Sequence, residues 1–180
     1  MDKKWSGQYE AAIEFIQQLC GITLDESKEY LINSRFEKLV QQFKVGSLAE
    51  LVEKAKLIQG EPIRRAIIEA ITIRETQFFR DPAVFDALRY VALPEIIKQK
   101  KLSGSNKIRI WSAAASSGQE SCSIAMTLLE AIPDIGKWDI EILGTDISND
   151  ALVKARRGVY TKIDIDRGLP AWFLNTYMRQ

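Results

Sequence analysis

The sequence predicts a small helical domain followed by a parallel α/β unit, on three observations. Apolar residues recur at spacings of three and four through the first third of the chain. After Lys101 the period changes, and Lys107–Trp111 (KIRIW) alternates and is rich in β-formers. From there strand, helix, strand and helix follow at the spacing of a βαβ unit, whose two strands are parallel. With 46% hydrophobic and 27% charged residues over 180 positions the chain can bury a core, which excludes disordered and fibrous classes.

The elements follow in order. A first helix near Gln8 to Leu19 aligns Ala12, Phe15, Ile16 and Leu19, and Gly21 closes it. Thr23 or Asp25 caps a second helix to about Lys44, with Ile32, Phe36, Leu39, Val40 and Phe43 on one face. Ser47 with Glu50 is a capping-box pattern opening a third helix to about Ile58, and Pro62 suits the first turn of a fourth. Asp81-Pro82 reads as an N-cap and first turn for a helix through about Tyr90, which Pro94 interrupts or restarts. The strand Lys107–Trp111 leads through the turn SAAASSG to a helix from about Glu120 to Glu130. A break at Pro133 and Gly136 precedes a strand at Asp139–Leu143 and a helix from about Asn149 to Arg157.

Composition removes several chemistries. There is no histidine, so triads, Cys-His dyads and imidazole zinc sites are excluded, and no metal site is expected. Cys20 and Cys122 lie far apart in helical patterns and read as reduced thiols. Twenty-five basic against twenty-four acidic residues leave a net charge of +1, without the field of a nucleic-acid binder. No apolar run reaches the length of a membrane span, and the N-terminus has no apolar signal core, so a cytoplasmic protein is expected.

Ligands of open α/β sheets bind beyond the carboxyl ends of the strands. The first end offers the small residues Ser112–Gly118, then Gln119 and Glu120; the second offers Gly144, Thr145 and Asp146. A carboxylate at Asp146 suits a ribose diol, because it has acceptors for the diol's two donors. The small residues equally suit tight helix packing, and Asp146 equally suits capping of the next helix. No GxGxxG and no phosphate-loop motif is present, which favours an adenosine-type ligand lacking a pyrophosphate. In Arg74–Arg80 (RETQFFR) two arginines bracket a Phe78-Phe79 pair, which reads either as an apolar anchor holding Thr76 and Arg80 beside the sheet or as a helix terminus with core phenylalanines. Lys28, Arg35 and Lys38 fall within an arc of roughly 80° on the second helix, either a docking stripe or an ordinary solvated face.

RETQFFRDP, RIWSAAASSGQESCSIAMTLLE, ILGTDIS, ALVKARRGVY and the tail RGLPAWFL together resemble the CheR-type glutamate methyltransferases of chemotaxis receptors. The resemblance implies a helical domain at 1–72 and, at 73–180, part of a Rossmann-like S-adenosylmethionine-dependent methyltransferase domain. It implies cofactor contacts at Thr76, Arg80, Ala114, Glu120 and Asp146, with Arg80 also orienting a carboxylate, and S-adenosylhomocysteine as product. It implies methyl-accepting receptors as partners, met by an N-terminal basic helix, here the stripe Lys28, Arg35 and Lys38. Four positions depart from the family pattern: Arg74 stands for an Asn, and in Gln119-Glu120-Ser121-Cys122, where the family has Glu-Glu-Pro-Tyr, positions 119, 121 and 122 differ, leaving no tyrosine at 122.

A complete sheet of this class has roughly six or seven strands, whereas Lys107 to Gln180 accommodates two strand–helix pairs and a short tail. The expectation is therefore a C-terminally truncated form, whose open sheet edges pair with a second copy or swap into a homodimer. The function expected is methylation of receptor glutamates. The alternative is a non-catalytic relative that senses cofactor or docks to receptors.

Overall fold

The structure, a computed structural model, describes residues 7–24 and 29–179. Asp25 and Lys28 lie outside the described residues. The chain divides into two compact units, Met1–Ile73 and Arg74–Gln180.

The first unit is built from α1 (Gly7–Cys20), α2 (Glu29–Gln42), α3 (Leu48–Lys56) and α4 (Glu61–Ile71). Their three-and-four patterns converge on one core, in which Ala12, Ile16, Leu51, Ala55 and Ile67 are fully buried. Each such isoleucine or leucine contributes about 1.5–3 kcal/mol relative to exposure. Ser47 caps α3, its Oγ accepting from the Glu50 amide at 3.2 Å. The reciprocal bond reaches one residue further back than a capping box would place it: Glu50 accepts from the Gly46 amide at 2.7 Å. That bond, reinforced by Lys54, holds the Glu50 carboxyl below its ordinary range. The third helix ends at Lys56 rather than Ile58, because Ile58–Gly60 tightens into a 3₁₀ turn. Arg64 closes the end, donating to the carbonyls of Ala55 at 2.6 Å and Leu57 at 2.9 Å. The second helix likewise stops short of Lys44, which takes a left-handed conformation.

The second unit opens with α5 (Pro82–Ala87), a π turn at Leu88–Ala92 and α6 (Leu93–Leu102). One expectation is corrected here, the side-chain cap at Asp81. Asp81 precedes α5 in the left-handed region and makes no side-chain cap bond. Of the two expectations for Pro94, the structure shows the restart: Pro94 lies in the first turn of α6. It lacks an N–H and would press on the carbonyl four residues back, and the wider π turn, closed by Leu93 N–H to Leu88 O, accommodates it.

Strand β1 (Lys107–Ala113), α7 (Gln119–Ala131), β2 (Asp139–Thr145) and α8 (Asn149–Arg157) form the βαβα unit. Both strands run two residues beyond their expected ends, so Ser112 and Ala113 belong to β1 rather than to the turn. The strands pair in parallel, from Lys107 opposite Asp139 to Ala113 opposite Thr145. Ile108, Ile110, Ile140 and Ile142 pack with Ile124 and Leu128 of α7, with Ile132 just after it and with Leu93 of α6. On the opposite face Arg109 lies between Asp139 and Glu141, at 2.8 and 2.9 Å. Beside them Trp111 and Leu143, opposite each other in register, are 69% and 56% exposed.

Two tail helices went unpredicted, α9 (Lys162–Asp166) and α10 (Ala171–Tyr177). They are too short for periodicity to reveal. A capping box at Thr161 and Asp164 starts α9. Phe173, Leu174 and Tyr177 from α10 pack around Phe78, Met126 and Leu169. Among the described residues no helix is long and apolar enough to cross a membrane.

Ile67→Ala is predicted to cost the first unit about 2–5 kcal/mol, because Ile67 is fully buried among all four helices. Urea unfolding followed by circular dichroism measures the loss.

Candidate functional site

Beyond the carboxyl end of β1 the chain turns through alternating left-handed residues, Ala114 at φ 59°, Ser116 at φ 49° and Gly118 at φ 93°. Left-handed alanine and serine cost about 1–2 kcal/mol each, so neighbours must hold them. Ala115 N–H donates to Thr145 O at 2.9 Å, tying the turn to β2. Asp146 supplies the main restraint. Its Oδ2 accepts from the Ser116 amide and its Oδ1 from the Ser148 amide, both at 2.8 Å. Hydrogen bonds to a carboxylate contribute about 1.5–3 kcal/mol each, enough to offset the strain. Ser148 itself caps α8, its Oγ accepting from Ala151 N–H. Asp146 thus lies just before that cap and is not the cap itself.

Glu120 sits exposed in the first turn of α7, where the helix dipole favours an acid. Its Oε1 accepts from the buried Ser112 hydroxyl at 2.7 Å. Ala114 is exposed at the turn. Gly144 sits at a close approach: a Cβ there would stand 3.2 Å from Ala115 Cβ and from Ser121 Oγ, tight enough that a neighbour would have to give way.

The RETQFFR segment is tied to this loop system at two points. Ser116 Oγ donates to Arg74 O at 3.3 Å, and Phe79 N–H donates to Ser123 Oγ at 3.0 Å. Between and beyond these ties lie Thr76, half-buried, and Arg80, exposed, whose guanidinium donates to Glu75 O at 3.1 Å. Arg74, the residue that departs from the family pattern, directs its guanidinium toward Asp150 at 3.8 Å. The phenylalanines are an apolar anchor: Phe78 is fully buried, edge-on to Tyr160, and Phe79 packs against Phe85 and Phe173.

Residues 7–72 match the family model "CheR methyltransferase, all-alpha domain", and residues 74–180 match "CheR methyltransferase, SAM binding domain". The chain belongs to the CheR methyltransferase family. Among curated CheR relatives, chemotaxis protein methyltransferase 1 of Pseudomonas aeruginosa is 39% identical over 166 residues, covering 91% of this chain and 59% of the relative. The chemotaxis protein methyltransferase of Vibrio parahaemolyticus is 39% identical over 169 residues, covering 90% and 58%. Chemotaxis protein methyltransferase Cher2 of Pseudomonas putida is 38% identical over 169 residues, covering 91% and 59%. The chain therefore spans somewhat under three fifths of the length of these CheR relatives.

Ser116, Ser123, Tyr160 and Gly168 were not singled out in the sequence. Tyr160 bears on the family tyrosine absent at position 122. Its hydroxyl comes from the tail, lies 3.4 Å from Cys122 Sγ and donates to Ser117 O at 3.2 Å. Cavities of about 410 Å³, beside Ser121, Cys122 and Leu152, and about 340 Å³, beside Phe78, Phe85 and Phe173, flank this region. Neither is lined by Thr76, Arg80, Ala114, Glu120 or Asp146. In the first unit Arg35 is half-buried and donates to Ala70 O at 2.6 Å, while Lys38 is exposed.

Asp146→Asn retains one good acceptor where two amides need one each, so it is predicted to destabilise the ligand-free second unit by about 1–3 kcal/mol. Urea unfolding without ligand reads this, and an unchanged midpoint would mean that the two bonds carry no stability.

Burial, reinforced by the Cys122 contact, raises the Tyr160 phenol above its ordinary value of 10.0. The folded state thus holds this proton more tightly than the unfolded chain does. Its contribution is intact below about pH 10 and is lost as pH rises toward the higher folded value. Tyr160→Phe is therefore predicted to flatten the fall in melting temperature above about pH 10, measured against the native chain by scanning calorimetry.

Proposed function

We propose that this chain carries the S-adenosylmethionine-binding part of a receptor glutamate methyltransferase, acting in chemosensory adaptation in the cytoplasm. The observation that carries the reading is the Asp146 carboxylate, fixed at the end of β2 by two backbone amides. Each oxygen keeps a second lone pair, so two acceptors remain for a ribose diol. The residues present fit the cofactor in that respect, and the family model's description as a SAM-binding domain supports the same ligand.

Bound S-adenosylmethionine supplies an activated methyl group. The chain's own task is placement. Glu120 offers its second carboxylate oxygen to an ammonium or other polar group, and Ala114 leaves room for close approach to the backbone. Arg80, on the tied segment beside Thr76, orients a carboxylate by charge-assisted bonding. A glutamate side chain, with a reference pKa near about 4.3, is already an anion at neutral pH. The reaction needs no proton shuttle, which suits a chain without histidine. Rate would come from alignment and from shielding of charge.

The names of the curated relatives support chemotaxis receptors as partners. Among the described residues of the stripe, Lys38 is exposed, whereas Arg35 also serves the fold through Ala70. Lys28, Arg35 and Lys38 together remain the proposed stripe for acidic receptor helices.

A second reading, a non-catalytic cofactor-sensing or receptor-binding module, is favoured by one observation: the sheet has two strands among the described residues, both with an open edge. Such a sheet rarely stands alone, and an edge-paired or swapped homodimer is the proposed resolution. Sedimentation of the chain as a stable monomer would remove the dimer.

Calorimetric titration with S-adenosylhomocysteine tests the cofactor. Binding is expected, with Arg80→Ala weakening it by about 10- to 100-fold; no heat from the native chain would sink the enzyme reading and the cofactor-sensing module, leaving receptor docking to its own test. Transfer of labelled methyl to receptor then separates enzyme from module. Lys38→Glu is expected to lower receptor affinity and its salt dependence; unchanged affinity would dismiss the stripe.

A further inference from the structure

The RETQFFR turn carries two proposed ligand residues, yet its conformation is not one its own sequence favours. Phe79 and Asp81, neither a glycine, both lie at positive φ, 49° and 59°. A bulky aromatic in the left-handed region stays there only if its surroundings fix it. Two contacts do so from opposite sides. On one side is Ser123 of α7, fully buried, whose hydroxyl accepts from Phe79 N–H at 3.0 Å while donating to Gln119 O at 2.7 Å. With its proton committed to Gln119, the oxygen is an oriented acceptor. On the other side is Gly168 of the tail, at φ 108°, so close to the turn that a Cβ there would collide with the Phe78 carbonyl oxygen.

We infer that Ser123 and Gly168 are positioning residues that clamp the turn at Phe78-Phe79 and so set where Arg80 and Thr76 stand. The role in ligand binding rests on the cofactor reading above; the clamp itself does not. Neither residue is among the proposed ligand contacts, and both act through the backbone of the segment between them. The turn has space to relax when released, because Gln77, Phe78, Phe79 and Gly168 border the cavity of about 340 Å³. Loss of one hydrogen bond would therefore be expressed as movement of the turn rather than absorbed by close packing.

The test uses the full chain, Ser123→Ala and Gly168→Ala, with Ile132→Val, just beyond the C-terminal end of α7, as a stability control; Ile132 is buried in the sheet core. Two readouts are taken, amide exchange without ligand and calorimetric affinity for S-adenosylhomocysteine. Protection of the Phe79 amide is expected to fall about tenfold in Ser123→Ala, and affinity to fall about tenfold in both clamp variants. Ile132→Val should move neither, at comparable loss of melting temperature. In an Arg80→Ala background, Ser123→Ala should cost clearly less than its effect of about tenfold in the native chain, since part of that effect runs through Arg80. Unchanged Phe79 protection in both clamp variants overturns the clamp. Native affinity in both variants, or full additivity with Arg80→Ala, overturns its link to the ligand. If the native chain binds no S-adenosylhomocysteine, the cofactor reading fails, and the exchange measurement alone decides the clamp.

Discussion

The second unit depends on one side chain accepting two backbone protons. Asp146 joins the turn after β1 to the start of α8 through the amides of Ser116 and Ser148. Without that bridge, left-handed Ala114 and Ser116 would have little to hold them, and Ser116 could not present its hydroxyl to Arg74 O. A carboxylate suits the task because it offers only acceptors, in two directions, and draws more from each bond than a neutral group. The same lone-pair arithmetic leaves capacity for a ligand, so scaffold and recognition converge on one residue.

Around that bridge the unit is organised as a series of ties between short, irregular segments. The strands and α7 make the rigid frame, through isoleucines on one face of the sheet. Segment 74–81 has no helix or strand, and the tail has only the short helices α9 and α10. They are held by Phe78 against Tyr160, by Phe79 between Phe85 and Phe173, and by serine hydroxyls of the frame. Backbone placed this way can sit closer to a site than a helix could, at the cost of needing specific partners.

What the sequence made legible follows from range. Helices α1 to α4 and the βαβα order were readable because amphipathic period and β-rich alternation are local. Ser47 was readable as a cap for the same reason. The π turn was not: its cause, Pro94, is visible, but whether a proline breaks a helix or widens it is decided by packing on both sides. Asp81 before a proline looked like a cap, yet its backbone is left-handed and its carboxylate makes no cap bond. Of the candidate site, Asp146 could be named from its place after a strand, with ligand contact and capping left open. Its two amide bonds depend on how loops separated by thirty residues meet. Ser123 and Gly168 were hidden more completely, because a mid-helix serine and a tail glycine look ordinary until the segments they touch are known.

The uncovered sheet face bears on how the protein behaves at high concentration. Lys107, Arg109, Asp139 and Glu141 place charges along the first half of both strands, and charged edges discourage further strands. The second half carries Trp111 and Leu143 and no such guard. With a net charge of +1 there is little long-range repulsion to keep copies apart. Self-association by strand addition should therefore begin at the carboxyl half of the sheet, so that a loss of ligand access that grows with concentration and a colloidal instability would share one origin.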